Sequence, residues 1–420
     1  MSATATEPST KPDSAQIANE AFRLASNGRI NEAYDWQTAV YDRLANPDND
    51  AGYLLLTPTG TGKTEAVLVP SVGLQRGGGP RRVFIIAADG SPLDDYVFRV
   101  SPYLKAWAAA DNAPRTLYVD AVEAGHDGHA VRFDADGNVS GDIAISPLEP
   151  DVDVVLTTLS HFQDLFFGSG GVHGLPSALP HPDETEIRRD LFFFDEAQSY
   201  APEQFSQFLR LVEFLFAEDT DIVVGSSTMP AGFEEELSFL EKVVAPPAPM
   251  PVRITFHPDE DPIAAIAFAA SALDAGKRAA VCVETLAQAQ AVIERLPAAL
   301  ASTAIQYLPG MDREQRRKEY GELLTKSQPY LLVTTGNFLE ASDLDVDIVI
   351  TTLCLPESLI LRAGRCNRFG RRAAGEILVY GQSIEGARRK LNNAQQTGYL
   401  EALAGCKGAT FDPASWKSFI

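Results

Sequence analysis

"GYLLLTPTGTGKTEAVLV", residues 52–69, changes character twice along its length. An unbroken apolar run ends at Leu56, a stretch with Gly60 and Gly62 follows, and an apolar helical pattern resumes after Lys63. The continuous run suits a strand covered on both faces. The glycines let the backbone turn tightly, and the helix start presents unpaired N–H groups. Strand, glycine loop and helix together form an anion-binding shape, in which N–H groups close on phosphate oxygens and the helix start adds positive charge. Lys63 is placed to reach the β/γ-phosphates and the Thr64 hydroxyl to ligate Mg²⁺. A glycine-rich turn that binds nothing is the plain alternative. The usual pattern, G-x-x-x-x-G-K-[ST], is broken at its first position by Thr57.

Similar apolar runs recur along the first half: 82–88, 116–121, 153–158, 191–195 and 221–227. A second series follows at 279–285, 304–309, 330–335, 347–352 and 376–381. Each run precedes a helical pattern, which predicts parallel sheets covered by helices. The fold class is therefore α/β with two lobes. Residues 1–29 read as a flexible N-terminal tail, 30–245 as lobe one, 246–382 as lobe two and 383–420 as a helical tail. The proline-rich 243–254 reads as the linker between lobes.

The chain has 420 residues and a formal charge of −22. Residues 1–245 hold 16 Lys and Arg against 38 Asp and Glu, whereas 246–420 hold 19 of each. Global acidity argues against a general nucleic-acid binder, yet "LRAGRCNRFGRR" (361–372) holds five arginines and no acid. A basic site focused on one region is what a phosphate needs. Four dispersed cysteines without a C-x-x-C pair argue against a zinc site or disulfide framework. The polar start lacks a signal-peptide pattern, and no apolar run is long enough to cross a bilayer, so no membrane contact and a cytoplasmic location are expected.

"DLFFFDEAQSY" (190–200) runs four apolar residues into Asp195 and Glu196. This puts two carboxylates at the carboxyl end of a strand, where open parallel sheets bind ligands. Asp195 suits a Mg²⁺ shell and Glu196 an attacking water. Acids also favour helix N-termini, which is the bland reading of the pair.

"TPTGTGKT", "DEAQ", "SST" and "RAGRCNRFGRR", in that order, resemble superfamily 2 DExD/H-box helicases. The resemblance covers about residues 30–385. It implies two tandem RecA-like P-loop lobes with parallel sheets, ATP between them, and a short helical C-terminal tail. Such helicases commonly begin the loop with Ala or Thr, which accounts for Thr57. The last motif, with "TTGNFLEASDLDVD" (334–347), is similar to the CRISPR-associated helicase of type I interference systems. Two positions depart from that pattern: Leu361 replaces the usual glutamine, and Leu344 falls where an acid is usual, between Asp343 and Asp345.

The resemblance implies residue roles. Lys63, Asp195, Glu196, Arg365 and Arg368 would be catalytic, the two arginines as fingers on the transferring phosphoryl group. Nucleotide binding would involve Gln37, Thr59, Gly60, Thr61, Gly62, Lys63, Thr64, Glu65, Gln198 and Arg362. Gln37 would read adenine, Gln198 would bridge the lobes and Arg362 would support the fingers. Thr64 and Asp195 would hold Mg²⁺. Ser226, Ser227 and Thr228 would couple hydrolysis to lobe movement. Thr157, Thr158, Thr285, Thr334 and Thr335 follow strands and would meet nucleic-acid phosphates, though threonine also favours strand ends for other reasons.

The implied cofactors are ATP and Mg²⁺. The implied activity is a 3′-to-5′ single-stranded DNA translocase or helicase, a nucleic-acid-dependent ATPase in type I CRISPR interference. That family often carries a fused HD nuclease. Here the His-Asp pair is His126-Asp127, within lobe one and without space for a helical domain. A separate HD-type nuclease and an RNA-guided surveillance complex are therefore the expected partners. Other readings are a superfamily 2 motor on RNA or repair intermediates, or an ATP-switched binding module.

Overall fold

The computed structural model describes residues 14–25, 31–45, 52–58, 61–73, 82–88, 93–120, 128–149, 151–167, 190–200, 202–218, 220–229, 231–245, 252–260, 266–302, 304–326, 328–342, 344–368, 372–381, 383–384 and 391–410.

The first lobe opens with helices α1 (Ser14–Ala25) and α2 (Asp35–Ala45), then β1 (Tyr53–Leu56) and α3 (Lys63–Gly73). Next come β2 (Val83–Ala87), α4 (Leu93–Asp111) and the strands β3 (Arg115–Val119), β4 (His129–Phe133) and β5 (Val139–Ile143). The lobe continues with β6 (Val154–Thr158), α5 (Leu159–Phe167), β7 (Leu191–Phe194), α6 (Pro202–Ala217), β8 (Asp221–Ser226), α7 (Ala231–Glu236) and β9 (Glu241–Val244). These strands form one nine-stranded sheet in the order β5-β4-β3-β6-β2-β7-β8-β1-β9. All pairings are parallel except β3–β4 and β4–β5.

Both faces of this sheet are apolar, which is why its strands read as unbroken hydrophobic runs. Leu55, Ile85 and Phe193 face a core shared with Phe22, Trp36 and Val67 of α1–α3. Their chain neighbours Leu54, Phe84 and Phe192 face the opposite core, with Phe162 of α5 and Phe208 of α6.

The second lobe holds β10 (Val252–His257), α8 (Ile266–Asp274), β11 (Ala279–Val283), α9 (Leu286–Glu294), α10 (Ala298–Ala301), β12 (Ile305–Tyr307) and α11 (Arg313–Thr325). It ends with β13 (Leu331–Thr335), α12 (Gly336–Ala341), β14 (Ile348–Thr352), α13 (Pro356–Ala363), β15 (Gly375–Tyr380) and α14 (Asn393–Cys406). Its six strands are all parallel, in the order β10-β15-β14-β11-β13-β12. After α14 the chain reaches the edge strand: Gly408 N donates to Ile254 O at 2.8 Å, and Thr410 bridges to Arg253. That cover blunts an otherwise open edge.

Two expectations are corrected, and one hairpin is new. The stretch read as a flexible tail contains α1, because Ala18 and Phe22, one turn apart, bury completely against lobe one. The stretch read as a linker is entered by strands from both sides, since β9 ends at Val244 and β10 begins at Val252. The β4–β5 hairpin was not expected at all; its two strands flank a polar turn in which Asp134 accepts from the Asp136 and Asn138 backbone N–H groups. No described helix is long and apolar enough to cross a membrane.

Candidate active site

The glycine loop leaves β1 through Thr57, whose N–H donates to Ser226 O at 3.1 Å. Thr59 and Gly60 lie outside the described residues. The Thr61 hydroxyl turns back to donate to Pro58 O at 2.7 Å. Gly62 has φ of +87°, a conformation open to glycine, and a Cβ there would meet the Gln37 amide at 2.7 Å. Gln37, buried on α2, donates to Thr61 O at 3.3 Å and Gly62 O at 3.2 Å, and accepts from Tyr34 N at 3.0 Å. In this arrangement Gln37 braces the loop, and both ends of its amide are engaged.

Lys63 opens α3 and is only 5 % exposed, with Nζ 3.0 Å from Glu196 Oε1. Thr64 Oγ1 donates to Asp195 Oδ2 at 3.2 Å, and the Tyr96 hydroxyl of α4 donates to the same oxygen at 2.7 Å. Gly225, on neighbouring β8, leaves the space: a Cβ there would stand 3.3 Å from Asp195 Oδ1. Glu65 faces Arg99 at 3.6 Å, which gives it a partner within lobe one.

The two carboxyls diverge in acidity. Burial and the adjacent Glu196 charge raise Asp195, against the opposing pull of Lys63 and Arg99. Burial would raise Glu196 too, but Lys63, the Gln198 amide and the positive charge of Arg365 outweigh it and hold Glu196 down at about 2. Glu196 also sits at φ 50° and ψ 50°, a left-handed conformation that costs a side-chain-bearing residue and recurs at functional sites.

Gln198 ties this carboxylate to the end of β8. Its Nε2 donates to Glu196 Oε2 and to Ser227 Oγ at 3.3 Å, while Ser226 Oγ donates to its Oε1. Ser227 Oγ donates to Glu196 Oε2 at 3.0 Å, and Thr228 N donates to Ser226 Oγ at 3.3 Å. The expected bridge from Gln198 to lobe two is corrected: its amide is used by Glu196, Ser226 and Ser227, all in lobe one.

In lobe two, Arg362 is fully buried on α13. Its Nε donates to Glu340 at 2.9 Å, one terminal nitrogen to Glu284 at 2.6 Å, and the other to Thr351. At zero exposure it has no open side toward a nucleotide, so its expected place in the binding set is corrected to a supporting one. Gly336 is needed beside it, because a Cβ there would collide with the guanidinium. Arg365 follows; its guanidinium donates to Leu339 O at 3.3 Å and Glu340 O. Arg368 donates from its backbone N to Asp345 Oδ1 at 2.8 Å and from its side chain to Ser342 O at 3.2 Å. Asp345 also pairs with Arg278 at 3.1 Å and with Arg372 at 3.5 Å. Leu344 is buried in the lobe-two core. At this departure from the pattern it is the flanking acid, Asp345, that fixes the arginine segment.

The five threonines differ. Thr157 and Thr334 are fully buried, donating to Asp120 Oδ2 at 2.6 Å and Tyr307 O at 2.8 Å. Thr158 accepts from His161 N at 3.3 Å. Thr285 caps α9 in a capping box with Gln288, and Thr335 occupies the N-cap of α12. All stand at carboxyl ends of parallel strands, but the hydroxyls of Thr157 and Thr334 point into the fold. His126 and Asp127 lie outside the described residues. Tyr96, Arg99 and Glu284 were missed by the sequence reading; the motifs they serve lie too far away in the chain to flag them.

Residues 275–371 match the family model described as CRISPR-associated nuclease/helicase Cas3, C-terminal. No curated protein matches the chain. Among solved structures, S. cerevisiae Dbp5 bound to RNA and ADP BeF3 superposes with a TM-score of 0.64 at 15 % identity, covering 96 % of this chain and 95 % of that one. Mss116p bound to ssRNA and AMP-PNP gives 0.65 at 14 % identity over 95 % and 79 % of the two chains. Mycobacterium smegmatis Lhr bound to ssDNA and AMP-PNP gives 0.64 at 14 % identity, over 97 % of this chain but 58 % of Lhr. The fold shared with these structures is two tandem RecA-like lobes.

Proposed function

We propose that this chain hydrolyses ATP to move along single-stranded DNA in the 3′-to-5′ direction. One observation carries the reading: Lys63, Thr64, Asp195 and Glu196 gather at the strand ends of lobe one. A triphosphate between the lobes would meet the loop N–H groups and Lys63 on one side and Arg365 and Arg368 on the other. Lys63 would leave Glu196 for the phosphates. Glu196, released from its cation, would regain basicity and take a proton from the attacking water. The arginines would offset charge developing on the transferring phosphoryl group.

Thr64 and Asp195 bring oxygen donors together at 3.2 Å, a hard donor set that fits Mg²⁺. Bound there, Mg²⁺ would neutralise phosphate charge. Lobe closure on ATP and reopening after hydrolysis would advance the strand lying across Thr158, Thr285 and Thr335. Thr157 and Thr334, whose hydroxyls bond into the fold to Asp120 and Tyr307 O, would shape that floor from beneath. Ser226, Ser227 and Thr228 would carry the state of Glu196 to the end of β8.

The chain would act in type I CRISPR interference, in the cytoplasm, with an RNA-guided surveillance complex and a separate HD-type nuclease as partners; the match over 275–371 supports the CRISPR context of this reading. The RNA-bound neighbours Dbp5 and Mss116p favour a second reading, a motor on RNA. Steady-state ATP turnover with single-stranded DNA or RNA of equal length tests both. Stimulation by DNA supports the first and stimulation by RNA alone the second. Nucleotide binding without turnover would leave only an ATP-switched binding module.

A further inference from the structure

Phe98 belongs to α4 of lobe one, yet its ring packs on the core of lobe two. It meets Tyr320 of α11 edge-on, with ring centroids 5.3 Å apart and planes at 74°. Gly321 leaves room for it: a Cβ there would come within 3.3 Å of the Phe98 ring. Tyr320 is fully buried and in turn meets Phe338 of α12 edge-on, at 5.6 Å and 79°. The next two carbonyls after Phe338, those of Leu339 and Glu340, are the ones that hold Arg365.

In the other direction, Phe98 shares α4 with Tyr96, whose hydroxyl donates to Asp195 Oδ2 at 2.7 Å. Arg99, on the same turn, faces Glu65 of α3. One helix thus touches the candidate metal carboxylate and also seats a ring beside the support of the arginine shelf. Separating the lobes would strip the Phe98 ring of its apolar partners, so the contact biases the spacing between them.

We propose that Phe98 is an interlobe positioning residue, anchored in the aromatic cluster of lobe two so that Asp195 and Arg365 return to one set spacing across the cleft in the nucleotide-free protein. Its kinetic consequence rests on the ATPase reading; its effect on lobe spacing does not. The ring packs on Tyr320 and the lobe-two core, so its loss is expected to act on turnover rather than on nucleotide affinity.

The test uses the full chain labelled with one dye in each lobe, and reads the interlobe distance distribution without nucleotide, beside ATP turnover with single-stranded DNA. Phe98→Ala should lengthen or broaden the distribution, while Phe98→Leu should restore it. Gly321→Ala, which favours the helix and crowds the ring, should shift it without unfolding α11. Phe98→Ala should lower the stimulated kcat by about fivefold, the scale of one aromatic pair, with KM for ATP little changed. Adding Gly321→Ala to Phe98→Ala should lower kcat no further. An unchanged distance distribution in Phe98→Ala overturns the proposal whatever the kinetics, and so does a changed distribution with an unchanged kcat. If the unmodified protein hydrolyses no ATP, the ATPase reading fails separately and the distance measurement still decides the contact.

Discussion

Lys63 Nζ stands 3.0 Å from Glu196 Oε1, so the candidate phosphate ligand and the candidate water-activating carboxylate neutralise each other in the ligand-free protein. An unpaired ammonium at the buried Lys63 would be costly, and the half-buried Glu196 makes that charge tolerable. The same pairing keeps the base weak until phosphate draws the lysine away.

Replacing Glu196 by Gln removes that ion pair and the base together. ATP should bind as well or a few-fold better, because Lys63 no longer has to leave a carboxylate, while turnover falls by roughly 100-fold or more. Titration with a fluorescent nucleotide and a turnover assay on the same preparation check this. Turnover close to that of the unmodified protein would remove Glu196 from the chemistry.

The acidity of Glu196 gives a pH signature. In the free protein it is held at about 2 chiefly because Lys63 and the Gln198 amide outweigh the effect of burial. Losing Lys63 to phosphate weakens the cause that lowers it, so its pKa in the ATP complex moves upward and the carboxylate becomes more basic. The acid limb of kcat, where protonation removes the base, should therefore lie above about 2 and nearer the ordinary carboxylate range of about 4. A kcat profile measured at saturating ATP reads that limb directly.

Gln37 donates to the carbonyls of Thr61 and Gly62 and accepts from Tyr34 N, so its amide holds loop backbone. Gln37→Ala should loosen the loop, raising KM for ATP by about tenfold with a much smaller change in kcat. A fall in kcat at constant KM would contradict the bracing role.

Arg362 joins Glu284 and Glu340 at zero exposure. Arg362→Ala would leave two carboxylates without their buried cation and should destabilise lobe two by about 3–5 kcal/mol in denaturant unfolding. Arg362→Lys should recover only part, since one ammonium cannot serve Glu284, Glu340 and Thr351 in the same forked geometry.

The sites that sequence made legible are those whose signals are local. The run into Thr57–Thr64 and the run into Asp195-Glu196 each announce a strand end and its chemistry within about ten residues. The cage of Arg362 was not legible, because Glu284 and Thr351 come from other strands and only folding makes them neighbours. The bond from Tyr96 to Asp195 spans 99 positions and has no motif to mark it. Helix α1 was hidden by the polar stretch before it, although Ala18 and Phe22 carry the one-turn spacing that buries it. β9 and β10 were hidden by the prolines between them. Strand-end position alone also does not reveal that Thr157 and Thr334 are fully buried.

The most direct measurement is steady-state ATP hydrolysis by the full chain, alone and with single-stranded DNA or RNA, beside Lys63→Ala and Arg368→Ala. The account predicts strong stimulation by DNA over RNA, abolished in both variants. Nucleotide binding with no turnover on either strand, or turnover that survives both substitutions, would contradict it.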